Sequence, residues 1–192
     1  MMSRLFGSKP GHNALVDINN FLAESTAATE LTEEIVSNFI KNWGAKFDSS
    51  NIEYRSSMYR KVADHVYISA VSKDDPVFEE TKHLAQVLEL PEKLQRLADN
   101  GAKKVAYFSR CRKIISGEEP LTISEINNVF GYDYEDGYDI RVQVFHDYLN
   151  KKFDEIAEQQ RFSPDEETAL REICTKLDIP YEFKPNIQNA LD

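Results

Sequence analysis

The chain has 192 residues, 41% of them hydrophobic and 29% charged, with a formal net charge of −10. A balance this acidic argues against nonspecific binding to nucleic acid or to an anionic membrane, since both need clustered Lys and Arg. Seven Gly and seven Pro are too few for a turn-rich β-sandwich, and the plentiful Phe and Tyr are not the profile of a disordered chain, so the composition points to helices with short connections.

Residues 1–12 read as a flexible leader without a signal peptide's apolar core, and no stretch approaches transmembrane length; a cytoplasmic location is expected. From Asn13 to Glu24, Leu15, Ile18, Phe21 and Leu22 form a helical stripe. After the linker Ser25–Thr29, Thr32 is placed to cap a second helix, with Leu31 and Val36 spaced as a hydrophobic staple. Ile35, Val36, Phe39, Ile40, Trp43 and Phe47 continue its apolar side until the polar run Asp48–Asn51. That run sets the expected boundary between an N-terminal helical pair, 13–48, and a main helical domain, 53–180. A long helix follows from Glu53 to Val71, with Met58, Val62, Val66 and Ala70 inward and Tyr59 and Tyr67 flanking. Asp75 and Pro76 open another, ending near Leu90 before Pro91.

Glu92 to Ala98 reads as a short helix stopped at Asn100-Gly101. A separate helix, Ala102 to Ile115, then carries Val105, Phe108, Cys111, Ile114 and Ile115 on one side, and Lys103, Lys104, Arg110, Arg112 and Lys113 on a basic face. Beyond the turn Ser116–Pro120, Thr122 and Glu125 form a capping box, Leu121 can staple onto Ile126, and Gly131 ends the short helix. The acidic, Tyr-rich stretch Asp133–Asp139 reads as a loop before a helix from Asp139 to Gln160, with Val142, Phe145, Leu149, Phe153 and Ile156 inward. Alternation over Ile140–Phe145 also suits a strand, but the helical continuation decides against one. A short turn leads to Ser163, Pro164 and Glu166, a strong helix start, then to the stripe Leu170, Ile173, Cys174 and Leu177, a stop at Pro180 and a tail, 181–192.

The predicted fold is therefore all-α, with seven to eight helices packed as helical hairpins. Leu84, Leu88, Glu89, Leu90 and Pro91 fall opposite Ile173, Leu177, Asp178, Ile179 and Pro180, so two related hairpin units are one form of this fold. From Phe153 to Pro180, a helix, a short turn, a Ser-Pro-x-Glu-Glu start and a terminal Leu-x-Ile-Pro resemble the hairpin of the tellurite-resistance TerB family and related all-helical domains. The resemblance implies an all-helical fold and a cation-binding stress-response role. That family tends to carry an Asp-Gly step before the second helix, where this chain has Gln159-Gln160-Arg161-Phe162, so no metal ligand is carried over, and no cofactor is expected.

Tyr132, Asp133, Tyr134, Glu135, Asp136, Tyr138 and Asp139 form the one dense cluster with chemical potential. Carboxylates around a Gly can wrap a hard cation, but counted from Asp133 an EF-hand would need Gly at Tyr138 and Glu at Val144. The acids also suit the start of the following helix. The reading adopted is a contact surface, on which tyrosines interleaved with carboxylates engage Arg or Lys of a protein partner with a basic surface. His12, His65, His83 and His146 have no zinc-ligand spacing, and Cys111 and Cys174 read as reduced core residues. There is no nucleophile elbow and no phosphate-cradling Gly loop, so no enzyme is expected. The basic helix and the capped helix at Thr122 look like a helix-turn-helix, yet the second leads straight into carboxylates that phosphates would repel; no direct nucleic-acid binding is expected. The expected role is a noncatalytic cytoplasmic adaptor or regulator acting through its acidic surface, in one form an inhibitor mimicking nucleic-acid charge. The alternative is a TerB-like cation-binding protein.

Overall fold

A computed structural model describes residues 10–156 and 163–181. Among these residues every regular element is helical: α1 (Pro10–Glu24), α2 (Glu33–Asn42), α3 (Ile52–Ser69), α4 (Phe78–Val87), α5 (Glu92–Ser116), α6 (Ile123–Phe130), α7 (Tyr134–Ile156) and α8 (Pro164–Lys176), with 3₁₀ turns at Ala28–Glu30 and Ser49–Asn51. The all-α expectation holds, and Ile140–Phe145 is helix. The leader up to residue 9, the expected helix end and short turn over 157–162, and the tail from 182 lie outside the described residues. Helix α1 takes in residues 10–12, expected in the leader, because Pro10 suits a first helical position that needs no N–H donor.

The described chain divides into two compact units, residues 10–70 with 74–103, and residues 71–73 with 104–181. Helix α5 belongs to the first unit through Lys103 and to the second from Lys104. This division differs from the one expected at Asp48–Asn51. That run is a hydrogen-bonded turn inside the first unit: Asp48 Oδ1 accepts from the Ser50 N–H (2.8 Å), and Asn51 Oδ1 accepts from the Asp48 N–H (3.2 Å). Asn51 Nδ2 also donates to the Lys46 carbonyl (2.9 Å).

The helix starts are where local chemistry places them. Thr32, Thr122 and Ser163 each accept the N–H three residues on, all at 3.3 Å. Glu125 and Glu166 close reciprocal boxes at 2.7 Å. Each cap contributes about 1 kcal/mol. Leu31 and Val36 of the predicted staple are both buried.

In the first unit α1 packs on α2 and α3, α3 on α4, and α4 on the turn Ala28–Glu30, where Glu80 accepts the Ala28 N–H (3.0 Å) and His83 Nε2 meets the Leu31 carbonyl (2.9 Å). Leu15, Ile18, Leu31, Met58, Val66 and Leu84 are central to its core. Tyr59 and Tyr67, expected to flank that core, are inside it; Tyr59 donates to Asp99 Oδ1 (2.8 Å). Trp43, expected on the apolar stripe, stays 43% exposed and donates its indole N–H to Asp17 (2.6 Å).

Asn100-Gly101 does not stop a helix. Helix α5 runs through it for 25 residues, with the movable end of the Arg60 side chain lying where a Gly101 Cβ would stand. The inward face also differs from the predicted stripe. Ala102, Ala106, Tyr107, Arg110, Cys111 and Ile114 are buried, while Val105 is exposed. Arg110, read as part of a basic face, is inside the second unit, 3.6 Å from Glu119 with both side chains under a tenth exposed, and stacked on Phe130.

Helices α4 and α8 end identically. Leu88, Glu89 and Leu90 donate to the carbonyls of Leu84, Gln86 and Ala85; Leu177, Asp178 and Ile179 donate to those of Ile173, Thr175 and Cys174. The middle residue of each turn is left-handed, Glu89 at φ 47° and Asp178 at φ 52°, and they are the only non-glycine positive φ values among the described residues. The pairing of Leu84-Leu88-Leu90 with Ile173-Leu177-Ile179 is thus a match in burial and hydrogen bonding as well as in letters.

Candidate functional site

Of the expected loop Asp133–Asp139, all but Asp133 is helix. Helix α7 begins at Tyr134, five residues before the predicted start, because Asp133 caps it: Oδ1 accepts the N–H groups of Glu135 and Asp136 (both 3.0 Å), and Asp136 Oδ2 accepts the Asp133 N–H (3.0 Å). Two of the four carboxylates are therefore engaged at the helix N-terminus, where the dipole favours them. Glu135 and Asp139, one turn apart, are exposed and take part in no ion pair with a described residue. Gly137, read as a loop glycine, is buried in the helix against Tyr107.

The tyrosines do engage an arginine, but it is the chain's own. Arg141 has no exposed surface. Its guanidinium lies 4.6 Å from the Tyr134 ring centre and 5.8 Å from that of Tyr138. It donates to the Tyr107 hydroxyl (2.9 Å) and the Tyr134 carbonyl (3.1 Å). Tyr107 in turn donates to Asn127 Oδ1 (2.7 Å) and contacts the rings of Tyr132 (5.3 Å) and Phe130 (6.0 Å). Burial pushes the Tyr107 hydroxyl up to about 12, against the opposing pull of Arg141. Burial also pulls the Arg141 guanidinium down, but its bonds to Tyr107 and Tyr134 outweigh this and it stays firmly charged. The outer edge of the cluster reaches the turn after α8, where the Tyr134 hydroxyl donates to the Asp178 carbonyl (3.3 Å).

Seven residues singled out in the sequence thus do three jobs. Tyr134 and Tyr138 cover an internal cation while Tyr132 packs on Tyr107 and Phe130, Asp133 and Asp136 cap, and Glu135 and Asp139 face solvent. Sequence reasoning missed Arg141, Tyr107, Asn127 and Gly137. The Asp-x-x-Asp spacing of 133 and 136 was a usable capping signal; Tyr107 and Asn127 lie on other helices and gave none.

Elsewhere the candidate ligands are dispersed. The His12 ring meets Tyr54 edge-on and His146 meets Phe145. Among the described residues no group of three or more His, Cys, Asp or Glu is placed to hold a metal ion, and no helix is long and apolar enough to cross a membrane. Comparison with family models, curated proteins and solved structures finds no match to this chain.

Proposed function

We propose that this protein is a noncatalytic cytoplasmic adaptor or regulator, and that the exposed carboxylates at the start of α7 receive a basic surface of a protein partner. The observation that carries the reading is a contrast in charge pairing. Asp64, Glu79, Glu92 and Glu167, on α3, α4, α5 and α8, each have a cation of their own helix three or four residues away. On α7, Glu135 and Asp139, one turn apart on the exposed side, have no such cation three or four residues away; Asp147, farther along, accepts from Gln143 (2.7 Å) and has Lys151 four residues on. Uncompensated like charges on one face repel, and a partner's Arg or Lys relieves that repulsion. A row of carboxylates is also what an inhibitor mimicking nucleic-acid charge would present. The tyrosine cage supports the surface by holding the first two turns of α7 rigid.

The test is quantitative affinity capture from the native host, comparing the natural chain with a Glu135→Gln, Asp139→Asn, Asp147→Asn variant at low and high salt. The expected result is a basic partner retained by the natural chain at low salt, lost at high salt, competed by DNA or RNA, and missing from the variant. Equal capture by both chains would overturn the reading. The TerB-like cation-binding alternative has no observation in its favour among the described residues.

A further inference from the structure

We infer that the two units are structural copies of one helical module, in which Arg55 of the first copy and the Arg141–Tyr134 pair of the second do the same work: each ties the start of a long helix to a left-handed turn. The landmarks recur in the same order roughly 90 residues apart. Each copy opens with a helix whose buried positions match from its C-terminal end, Ala14, Leu15 and Ile18 in α1 against Ala106, Tyr107 and Arg110 in α5. A Leu-Thr pair then precedes a short helix capped by the threonine, Thr32 or Thr122. A left-handed glycine follows, Gly44 or Gly131. Next comes an aspartate, Asp48 or Asp133, that accepts the N–H two residues on and has its own N–H bonded by the side chain three residues on, Asn51 or Asp136. A long helix follows, then a proline-led helix ending in the shared left-handed turn, and Pro91 or Pro180.

The buried arginines follow in the same order, seven residues after the capping aspartate in the first copy and eight in the second. Arg55 is 4% exposed and Arg141 0%. Each donates to the carbonyl seven residues back, Asp48 at 3.0 Å and Tyr134 at 3.1 Å. Each has its guanidinium 4.6 Å from an aromatic ring centre, Phe47 or Tyr134. Neither is within ion-pair distance of a described carboxylate. The carbonyl of the left-handed residue is bonded in both copies. Arg55 reaches it alone, donating to Glu89 (3.0 Å) and to Leu88 (2.7 Å). In the second copy Arg141 holds Tyr134, and the Tyr134 hydroxyl reaches Asp178 (3.3 Å). A buried guanidinium without a carboxylate is costly unless carbonyls and rings take its donors and its face. The terminal nitrogens meet that requirement, with three carbonyls for Arg55 and a carbonyl and the Tyr107 hydroxyl for Arg141, while Nε is left without a hydrogen-bond partner in each, and in both copies the turn is what gets fastened.

This inference does not rest on the proposed function, and it sharpens what is particular to the second copy. Where the first has Ser50 and Asn51 after the capping aspartate, the second has Glu135 and Asp136. The experiment is amide hydrogen exchange on the full chain. Tyr134→Phe keeps the ring over Arg141 and removes only the hydroxyl; it is expected to speed exchange at Leu177, Asp178 and Ile179 about threefold and to leave Leu88, Glu89 and Leu90 unchanged. Arg55→Met is expected to do the reverse, at least tenfold, because a buried cation carries that turn. Should Arg55→Met fail to fold, Arg55→Lys, which keeps the charge but loses the fork of donors, replaces it with a smaller shift of the same pattern. Unchanged exchange at Leu177–Ile179 in Tyr134→Phe, or an Arg55 variant that does not single out Leu88–Leu90, would overturn the equivalence.

Discussion

The Tyr107 ring lies directly against Gly137, so close that a Cβ there would overlap the hydroxyl end of the ring. Tyr107 is wholly buried and bonded to both Asn127 and Arg141, so it has nowhere to go. Gly137→Ala is therefore expected to destabilise the protein, although alanine is the better helix former by about 1 kcal/mol, because overpacking at such a site costs about 1–3 kcal/mol. Gly101→Ala is the matched comparison. Its neighbour is the end of a half-exposed Arg60, which can move aside. Denaturant unfolding of both variants should show Gly137→Ala losing stability and Gly101→Ala roughly neutral or gaining.

The two left-handed carboxylate residues give a second expectation. A side chain at φ 47° or 52° is strained where glycine is not. Glu89→Gly and Asp178→Gly are each expected to raise stability by up to about 1 kcal/mol, measured as a shift in the unfolding midpoint. Glu89→Ala and Asp178→Ala, which keep the Cβ, should give no such gain.

How far the fold was legible follows from how local each signal is. Thr32, Thr122 and Ser163 announce their helices because donor and acceptor lie within four residues of chain. Gly101 reads as a helix stop and Gly137 as part of a loop, since a glycine inside a helix looks like a glycine kept for a turn until its neighbour, Arg60 or Tyr107, is in place. Arg55, Arg110 and Arg141 were the least legible. Charged letters default to the surface, and the Leu88 and Glu89 carbonyls, the Phe130 ring, Glu119 and the Tyr107 hydroxyl that help hold these three inside come from other segments, while the Tyr134 and Tyr138 rings over Arg141 lie on its own helix.

Within the second unit, the Arg110–Glu119 pair should behave as a buried ion pair. Glu119→Gln removes a buried charge partner of the guanidinium and is expected to cost about 3–5 kcal/mol. Adding Arg110→Met should restore part of that loss. A double-mutant cycle reads the coupling directly, and additive losses would show the two groups to be independent.

Stability should respond to pH in two opposite ways. Burial holds Asp99 above its usual value despite its bond from Tyr59. The folded state therefore binds this proton more tightly than the unfolded one, and its contribution is lost as pH rises from the ordinary aspartate value through the raised one. Asp99→Asn should flatten stability across that window. The capping carboxylates behave in reverse. Glu125 and Glu166 are lowered, first by the backbone N–H of Thr122 and of Ser163 respectively, so their contribution is present above the ordinary glutamate value and lost as pH falls through the lowered one. Thermal unfolding from pH 3 to 7 with Asp99→Asn and with Glu125→Gln separates the two.

Both cysteine thiols should be inert in the folded protein. Burial pushes Cys111 up to about 12 and Cys174 up to about 11, which leaves almost no thiolate at neutral pH. Labelling by a thiol reagent is expected to follow the opening of the structure and to become fast only in denaturant.

Trp43 makes the molecule optically lopsided. It is the chain's sole tryptophan, half in water and hydrogen-bonded to Asp17 between α1 and α2. Its emission therefore witnesses the first unit and is blind to the second, whereas far-ultraviolet dichroism weighs every helix. Melting curves by the two signals will coincide only if the units come apart together, so a gap between them reports separate unfolding of the two units.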